Sequence, residues 1–208
     1  MPNDPGCLAI VSPGIMVSIG CMTVLASRSL LDITLERARK DMPVATTPRT
    51  AESGPVQDSV INHAQPFHDA RGSLFEILRT GWRLDDKPLD QVYAATLKPG
   101  IVKGWALHKK HDDRYFLISG AVDVVLYDVR PDSITYGEVH TVRLRQEDRI
   151  VLIIPANVWH ADINVSDTEA VLLNMPTQPY DYADPDKYRL PLDTDLIPYE
   201  FACGLNGW

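Results

Sequence analysis

Cysteine is scarce, and its placement excludes more than its number. Cys7, Cys21 and Cys203 are odd in count and far apart, with no Cys-x-x-Cys spacing for a zinc site or a redox pair. A disulfide framework is therefore not expected, and a reducing cytoplasm is the expected compartment. No run of Lys or Arg exceeds two residues, and the formal net charge is -8. Polyanion binding needs a continuous cationic face, so no nucleic-acid partner is expected. An anionic small molecule would need individually placed Arg and Lys. Amphipathic helical periodicity is nearly missing as well: only Ser29–Lys40, through Leu30, Leu31, Ile33, Leu35 and Ala38, reads as a helix.

What is present fits one folded domain. The chain has 208 residues, is 45% hydrophobic and 23% charged, and shows no internal repeat. The stretch Cys7–Leu31 is apolar but is interrupted by Pro13, Gly14, Gly20 and Arg28, and only Asp4 is charged ahead of Arg28. Neither a signal peptide nor a membrane span is expected from it. Residues 1–59 are read as an extension and linker, with Met42 a candidate start and residues 43–57 too rich in Thr, Pro, Ser and Ala to repay their ordering entropy.

The domain is expected over residues 60–208. Short β-prone runs follow one another at Ser73–Leu78, Gln91–Leu97, Lys103–Leu107, Tyr115–Ile118, Val122–Val129, Glu138–Leu144, Arg149–Ile154, His160–Val165 and Ala170–Asn174. Turn chemistry separates them, as in Lys98-Pro99-Gly100, Gly120, Pro131-Asp132-Ser133 and Pro155-Ala156-Asn157. Many short strands at near-regular spacing imply an all-β barrel or sandwich. The run Tyr180–Phe201, dense in Pro, Asp and Tyr, is too irregular for strands and is expected to pack as a flap across a barrel end.

Two segments carry the chemistry: Gly104 to Gly120, containing His108, His111 and Asp113, and Pro155 to Asn164, containing Asn157 and His160. Together they resemble the paired motifs of the cupin superfamily, which implies a double-stranded β-helix, or jelly roll, with both segments facing one pocket. Ala106 takes the first histidine position, Asp113 stands where the acid is usually Glu, and Asn157 replaces the turn glycine. The usual four-ligand metal set is thus incomplete. His108, Asp113 and His160 would still make a two-histidine, one-carboxylate face for a divalent ion.

A closer match covers Phe67 to Phe201. Asp69-Ala70-Arg71-Gly72-Ser73-Leu74-Phe75-Glu76, the Gln91 strand, Gly100-Ile101-Val102-Lys103-Gly104, Asp128-Val129-Arg130 through Ser133, Thr135, Tyr136 and Gly137, and Ile153-Ile154-Pro155 to His160 occur in order. This series resembles the dTDP-4-dehydrorhamnose 3,5-epimerase family. The resemblance implies a homodimeric jelly roll that needs no cofactor and binds a nucleotide-linked 4-keto-6-deoxysugar. A histidine held by an aspartate removes protons beside the ketone, and a tyrosine returns them on the opposite face.

The departures are specific. Ala106 stands where the catalytic histidine belongs. His108 lies two residues on along the same strand face, a displacement of about 7 Å at the usual rise. Asn174 stands where the tyrosine is expected, with Tyr180 and Tyr182 nearby. Asp193 or Asp195 is the expected supporting aspartate.

The resulting expectations assign His108, His160 and Asp193 to catalysis. Arg71 and Lys103 go to the diphosphate, and Glu76, Gln91, Arg114 and Tyr182 to further substrate contacts. His63, His68, His111 and His140 are expected on the surface, Asp128 and Arg130 as a structural pair, and Trp105 and Trp159 as packing. A sugar-nucleotide-binding protein without catalysis and a metal-dependent cupin are the alternatives.

Overall fold

The computed structural model describes residues 51–202 and 205–207, together with Thr34, Arg37 and Ala38. The chain divides into two compact units, Met1–Ala45 and Thr46–Trp208. In the first, Thr34 and Arg37 are helical and the Ala38 amide donates to Thr34 O at 2.9 Å, within the predicted helix. The rest of that helix, most of the extension and all three cysteines lie outside the described residues.

The second unit is built from strands β1 (Ala51–Ser53), β2 (Val60–His63), β3 (Pro66–Asp69), β4 (Gly72–Phe75), β5 (Tyr93–Leu97), β6 (Ile101–Leu107) and β7 (Asp113–Ser119). It continues through β8 (Ala121–Asp128), β9 (Val139–Arg145), β10 (Ile150–Ile154), β11 (Val158–Asn164), β12 (Ala170–Asn174), β13 (Tyr188–Arg189) and β14 (Asn206–Gly207). One sheet runs β1-β2-β10-β7-β12-β5. A second runs β13-β6-β11-β8-β9, with β14 parallel to β6, and β3-β4 form a separate hairpin.

The two large sheets pack as a jelly roll. Alternation along the strands sends Tyr115, Leu117, Leu152, Ile154 and Leu172 of the first sheet against Val122, Val124, Leu126, Leu144 and Val158 of the second. Each such fully buried aliphatic side chain contributes about 2 kcal/mol of hydrophobic stabilisation.

Both outer faces are also covered. Phe116, Val151, Ile153 and Met175 pack beneath Phe75, Ile77, Leu78, Leu84 and Leu89. Trp105, Val125 and Ala161 pack beneath Ile197, Tyr199 and Phe201 of the C-terminal run.

Every strand run read from the sequence is a strand; Ala170–Asn174 keeps both ends and the others shift at one or both. The first, Ser73–Leu78, stops at Phe75, because Ile77 and Leu78 leave the hairpin to cover the outer face. Two expectations are corrected. The body begins ahead of residue 60: β1 pairs with β2, and Val56 is 1% exposed in the inter-sheet core. The composition of residues 43–57 hid this, since one buried valine and one short edge strand leave no periodicity. The run Tyr180–Phe201 is not strand-free, for β13 pairs with β6, and it lies along the face of the second sheet.

Two turns explain their residues. Asn157 adopts φ 63°, the left-handed conformation that made it a fit replacement for glycine. Gly120 has φ 87°, and a Cβ there would meet Ala170 Cβ and Ser166 Oγ at 3.0 Å.

Arg114, expected at the substrate, is instead a structural clasp. It is 1% exposed and points to the outer face of the first sheet. Its guanidinium donates to Asp85 Oδ2 and Oδ1 at 2.7 and 2.6 Å, to Pro88 O at 2.7 Å and to Lys87 O at 3.0 Å. Arg114→Met removes the cation and leaves a carboxylate and two carbonyls short of donors. It is expected to lower unfolding free energy by about 3–5 kcal/mol, read by urea denaturation.

Candidate active site

One end of the sandwich opens between the sheets into a narrow cleft lined by Tyr93, Lys103, Ala106, His108, Asp113, Tyr115, His160, Asp162, Lys187 and Arg189. Strand alternation, with a register shift between β6 and β11 at His160/Asp162, delivers these groups. Lys103 and Ala106 come from β6, Asp113 and Tyr115 from β7, and His160 and Asp162 from β11. His108 follows β6 and is tied to the opposing turn by the Asn157 amide, which donates to His108 O at 2.7 Å.

Asp113 is the centre of the arrangement. Its Oδ2 lies 3.4 Å from Nε2 of His108 and 3.4 Å from Nε2 of His160, and its Oδ1 lies 3.8 Å from Nε2 of His111. The Asn174 amide donates to Oδ1 at 2.7 Å. Burial would raise this carboxyl, but the His108 hydrogen bond and the charges of His108 and His160, with the Asn174 amide, hold it well below the usual carboxylate range.

The histidines divide by environment. Burial works against the His108 imidazolium, yet Asp113 and the Asp186 carbonyl outweigh it and the net shift is upward. His160, fully enclosed, is pushed down to about 3 by burial. His111 is also lowered, by burial and by the charge of His108. Each ring has its Nδ1 near an oxygen. His108 Nδ1 meets Asp186 O, His111 Nδ1 lies 3.1 Å from Asp186 Oδ2, and His160 Nδ1 lies 3.4 Å from Val158 O. Nε2 of each ring faces the Asp113 carboxylate.

Below them, Asp162 Oδ2 is 3.7 Å from Lys103 Nζ and accepts from Tyr115 OH at 3.4 Å. Burial raises the Asp162 carboxyl, with Lys103 opposing. Lys187 is drawn down to about 8 by burial and by the neighbouring charges of Lys103 and Arg189. Asp186 anchors this segment through its carboxylate, which accepts the Lys109 and Lys110 amides at 3.0 and 2.7 Å.

Of the residues expected in the site, His108, His160, Asp113 and Lys103 come together. The others do not. Asp193 is exposed in the turn where the Thr194 amide meets Pro191 O, and Asp195 is exposed too, so the carboxylate that meets the histidines is Asp113. Arg71 is paired with Asp69 at the tip of the exposed β3–β4 hairpin, outside the cleft. Glu76 is exposed and paired with Arg79, outside the cleft as well. Gln91 ties down the flap by accepting the Tyr180 amide at 2.8 Å. Tyr182 is 87% exposed and meets only the edge of Tyr180 among described rings.

The surface assignment also fails for His111, which packs 4.2 Å from the His108 ring. His63 and His140 do lie at the surface near Glu52 and Glu138. Asp128 and Arg130 form the expected structural pair at 2.7 Å, and Trp105 packs against Tyr199 and Phe201.

Sequence reading missed Tyr93, Tyr115, Asp162, Lys187 and Arg189. For two the signal was available: Tyr115 and Asp162 each sit two residues beyond a chosen candidate, Asp113 and His160, on the same strand. Lys187 and Arg189 arrive with a C-terminal run whose pairing to β6 no local pattern announces.

Donor atoms of His108, His111 and Asp113 lie within 4.8 Å of one another, close enough to share a divalent ion. His160 completes the ring of nitrogen donors around the same carboxylate.

Comparison with known proteins supplies the rest. A family model described as dTDP-4-dehydrorhamnose 3,5-epimerase matches residues 53–196. The chain is 33% identical over 153 residues to a protein of Haloferax volcanii named as a probable low-salt glycan biosynthesis epimerase, covering 73% of this chain and 98% of the relative. It is 31% identical over 136 residues to a spore coat polysaccharide biosynthesis protein of Bacillus subtilis, covering 64% and 87%. The crystal structure of a dTDP sugar isomerase from Desulfovibrio desulfuricans superposes with a TM-score of 0.64 at 26% identity, covering 70% of this chain and 92% of that one. A Legionella pneumophila dTDP-6-deoxy-D-glucose-3,5-epimerase in complex with dTDP-4-keto-L-rhamnose shares the fold, with a TM-score of 0.67 at 17% identity over 77% and 87%.

Proposed function

The chain belongs to the dTDP-4-dehydrorhamnose 3,5-epimerase family, and we propose that its cleft enolises a nucleotide-linked 4-keto-6-deoxysugar, inverting C3, C5 or both. The carrying observation is the contact between His108 Nε2 and Asp113 Oδ2 at 3.4 Å inside a cleft that also holds cations. Enolisation needs a base with a pKa near neutrality and positive charge beside the carbonyl oxygen.

His108 meets the first need. In the neutral form Nδ1–H donates to the Asp186 carbonyl, so Nε2 accepts the substrate proton, which then lies beside Asp113 Oδ2. Asp113 then stabilises the imidazolium that forms. His160, kept neutral by burial, polarises the C4 oxygen as a donor through Nε2–H, with Lys103 and Lys187 adding charge. Arg189, at the exposed mouth, suits the diphosphate better than Arg71, which lies outside the cleft. The names of the two sequence relatives support a role in polysaccharide assembly.

The proposal extends to a cytoplasmic homodimer. In its favour, Phe67 and Leu74 form a cross-strand pair 53% and 67% exposed on the β3–β4 hairpin, apolar surface left uncovered among the described residues. Among the described residues no helix is long and apolar enough to cross a membrane.

Incubation with a dTDP-4-keto-6-deoxysugar in deuterated water, followed by NMR, tests the reading. Deuterium at C3 and C5 is expected for a double epimerase, and at one carbon for a single-site enzyme. Tight binding of dTDP with no incorporation would instead identify a non-catalytic nucleotide-sugar-binding protein. A second reading is favoured by the convergence of His108, His111 and Asp113. There His108, Asp113 and His160, or His111, would hold a divalent ion that polarises the carbonyl. Stoichiometric metal, lost together with activity on chelation, would establish it.

A further inference from the structure

The resemblance implies a proton-returning tyrosine where this chain has Asn174, the last residue of β12. The residue directly across the ladder from Asn174 is Tyr93, the first residue of β5. Tyr93 lines the cleft, and its hydroxyl lies 2.8 Å from Asn174 Nδ2. We propose that Tyr93 is the acid that returns the proton to the ring carbon, the phenol having crossed from β12 to its neighbouring strand. This assignment rests on the epimerase reading and deepens it.

Hydrogen-bond accounting fixes the direction of the hydroxyl. Asn174 Oδ1 accepts the Arg114 amide at 3.2 Å, which orients the side chain and leaves both Nδ2 protons to be donated. One goes to Asp113 Oδ1 at 2.7 Å and the other to the Tyr93 oxygen. The phenol oxygen therefore serves as acceptor toward Asn174, and its own proton is left for the cleft. A tyrosine whose hydroxyl was spent on the asparagine would have nothing to transfer.

The walls of the cleft give the stereochemistry. His160 belongs to β11 and His108 follows β6, both in the second sheet, whereas Tyr93 belongs to β5 at the edge of the first. A sugar ring lodged between the sheets presents one face to the imidazoles and the other to the phenol, as inversion requires.

The step balances. The C–H electron pair moves into the enolate as His108 Nε2 takes the proton. The enolate then closes to the ketone as carbon takes the Tyr93 proton, leaving tyrosinate and imidazolium to exchange protons with solvent. Burial and the Asp113 charge raise the phenol to about 12, so it stays protonated through the neutral range.

Tyr93→Phe separates the two half-reactions. In deuterated water with a dTDP-4-keto-6-deoxysugar, the variant is expected to lose inverted product about 100- to 1000-fold. Solvent deuterium should still enter at the abstracted carbon, with retention, within tenfold of the wild-type rate, and dTDP affinity by calorimetry should hold within threefold. Wild-type inversion by Tyr93→Phe overturns the assignment while leaving the epimerase reading intact. Failure of the wild-type protein to exchange deuterium at either carbon overturns both.

Discussion

Asp113→Asn is expected to lower kcat/KM toward a dTDP-4-keto-6-deoxysugar about 1000-fold, a loss of the order seen when the orienting carboxylate of a histidine base is neutralised. The substitution keeps the side-chain shape, and the Asn174 contact can re-form with the amide oxygen as acceptor. What disappears is the negative charge 3.4 Å from both His108 and His160. That charge is a main reason the His108 imidazolium resists burial. Without it, desolvation governs, the folded-state pKa of His108 drops, and the acid limb of the rate profile moves to lower pH. The two effects have one cause and should appear together. A variant with wild-type turnover and an unmoved limb would remove Asp113 from the chemistry and reopen the choice of base.

Fold and site were legible to different depths for physical reasons. Strands such as Ala170–Asn174 announce themselves because alternation and turn residues are local properties. His108, Asp113 and His160 were legible because two short motifs with fixed spacing bring strand ends to one mouth. Arg114 was misplaced by one residue of parity: Asp113 faces the cleft, so its neighbour faces the outer layer, where Asp85 waits on a segment of no periodicity. His111 looked like part of a solvated Lys-Lys-His loop until Asp186, 75 positions away in sequence, folded over it. The resemblance points to Asp193 or Asp195 by place in the sequence, which carries no information about which side of a C-terminal flap meets the cleft. Cross-strand register was the missing quantity throughout: the pairing of Asn174 with Tyr93, and of Ala106 with both His160 and Arg189, exists only once the sheets are assembled.

Acid should weaken this fold well above the pH at which carboxylates titrate, and His160 is the principal reason. In the unfolded chain its imidazole takes a proton near its ordinary value of 6.5, whereas in the folded cleft it stays neutral down to about 3. Between those values the unfolded state binds the extra proton, so stability falls as pH falls, by about 1.4 kcal/mol per pH unit and by on the order of 4 kcal/mol in all. His111, also lowered, acts in the same direction. Asp113 adds its own loss only below its unfolded value of 3.8, as the pH approaches its depressed folded pKa. His108 works oppositely, since its raised pKa contributes stability that is full below 6.5 and is lost as pH rises through the folded value. The sum is a maximum near neutrality with a steep acid side. Melting at pH 4.5 is expected about 8 °C below that at pH 7.5. His160→Gln should flatten most of this difference, because glutamine binds no proton in either state. An equally steep profile in that variant would show that the cleft admits the imidazolium without cost, and that His160 stands in a wetter environment than its burial implies.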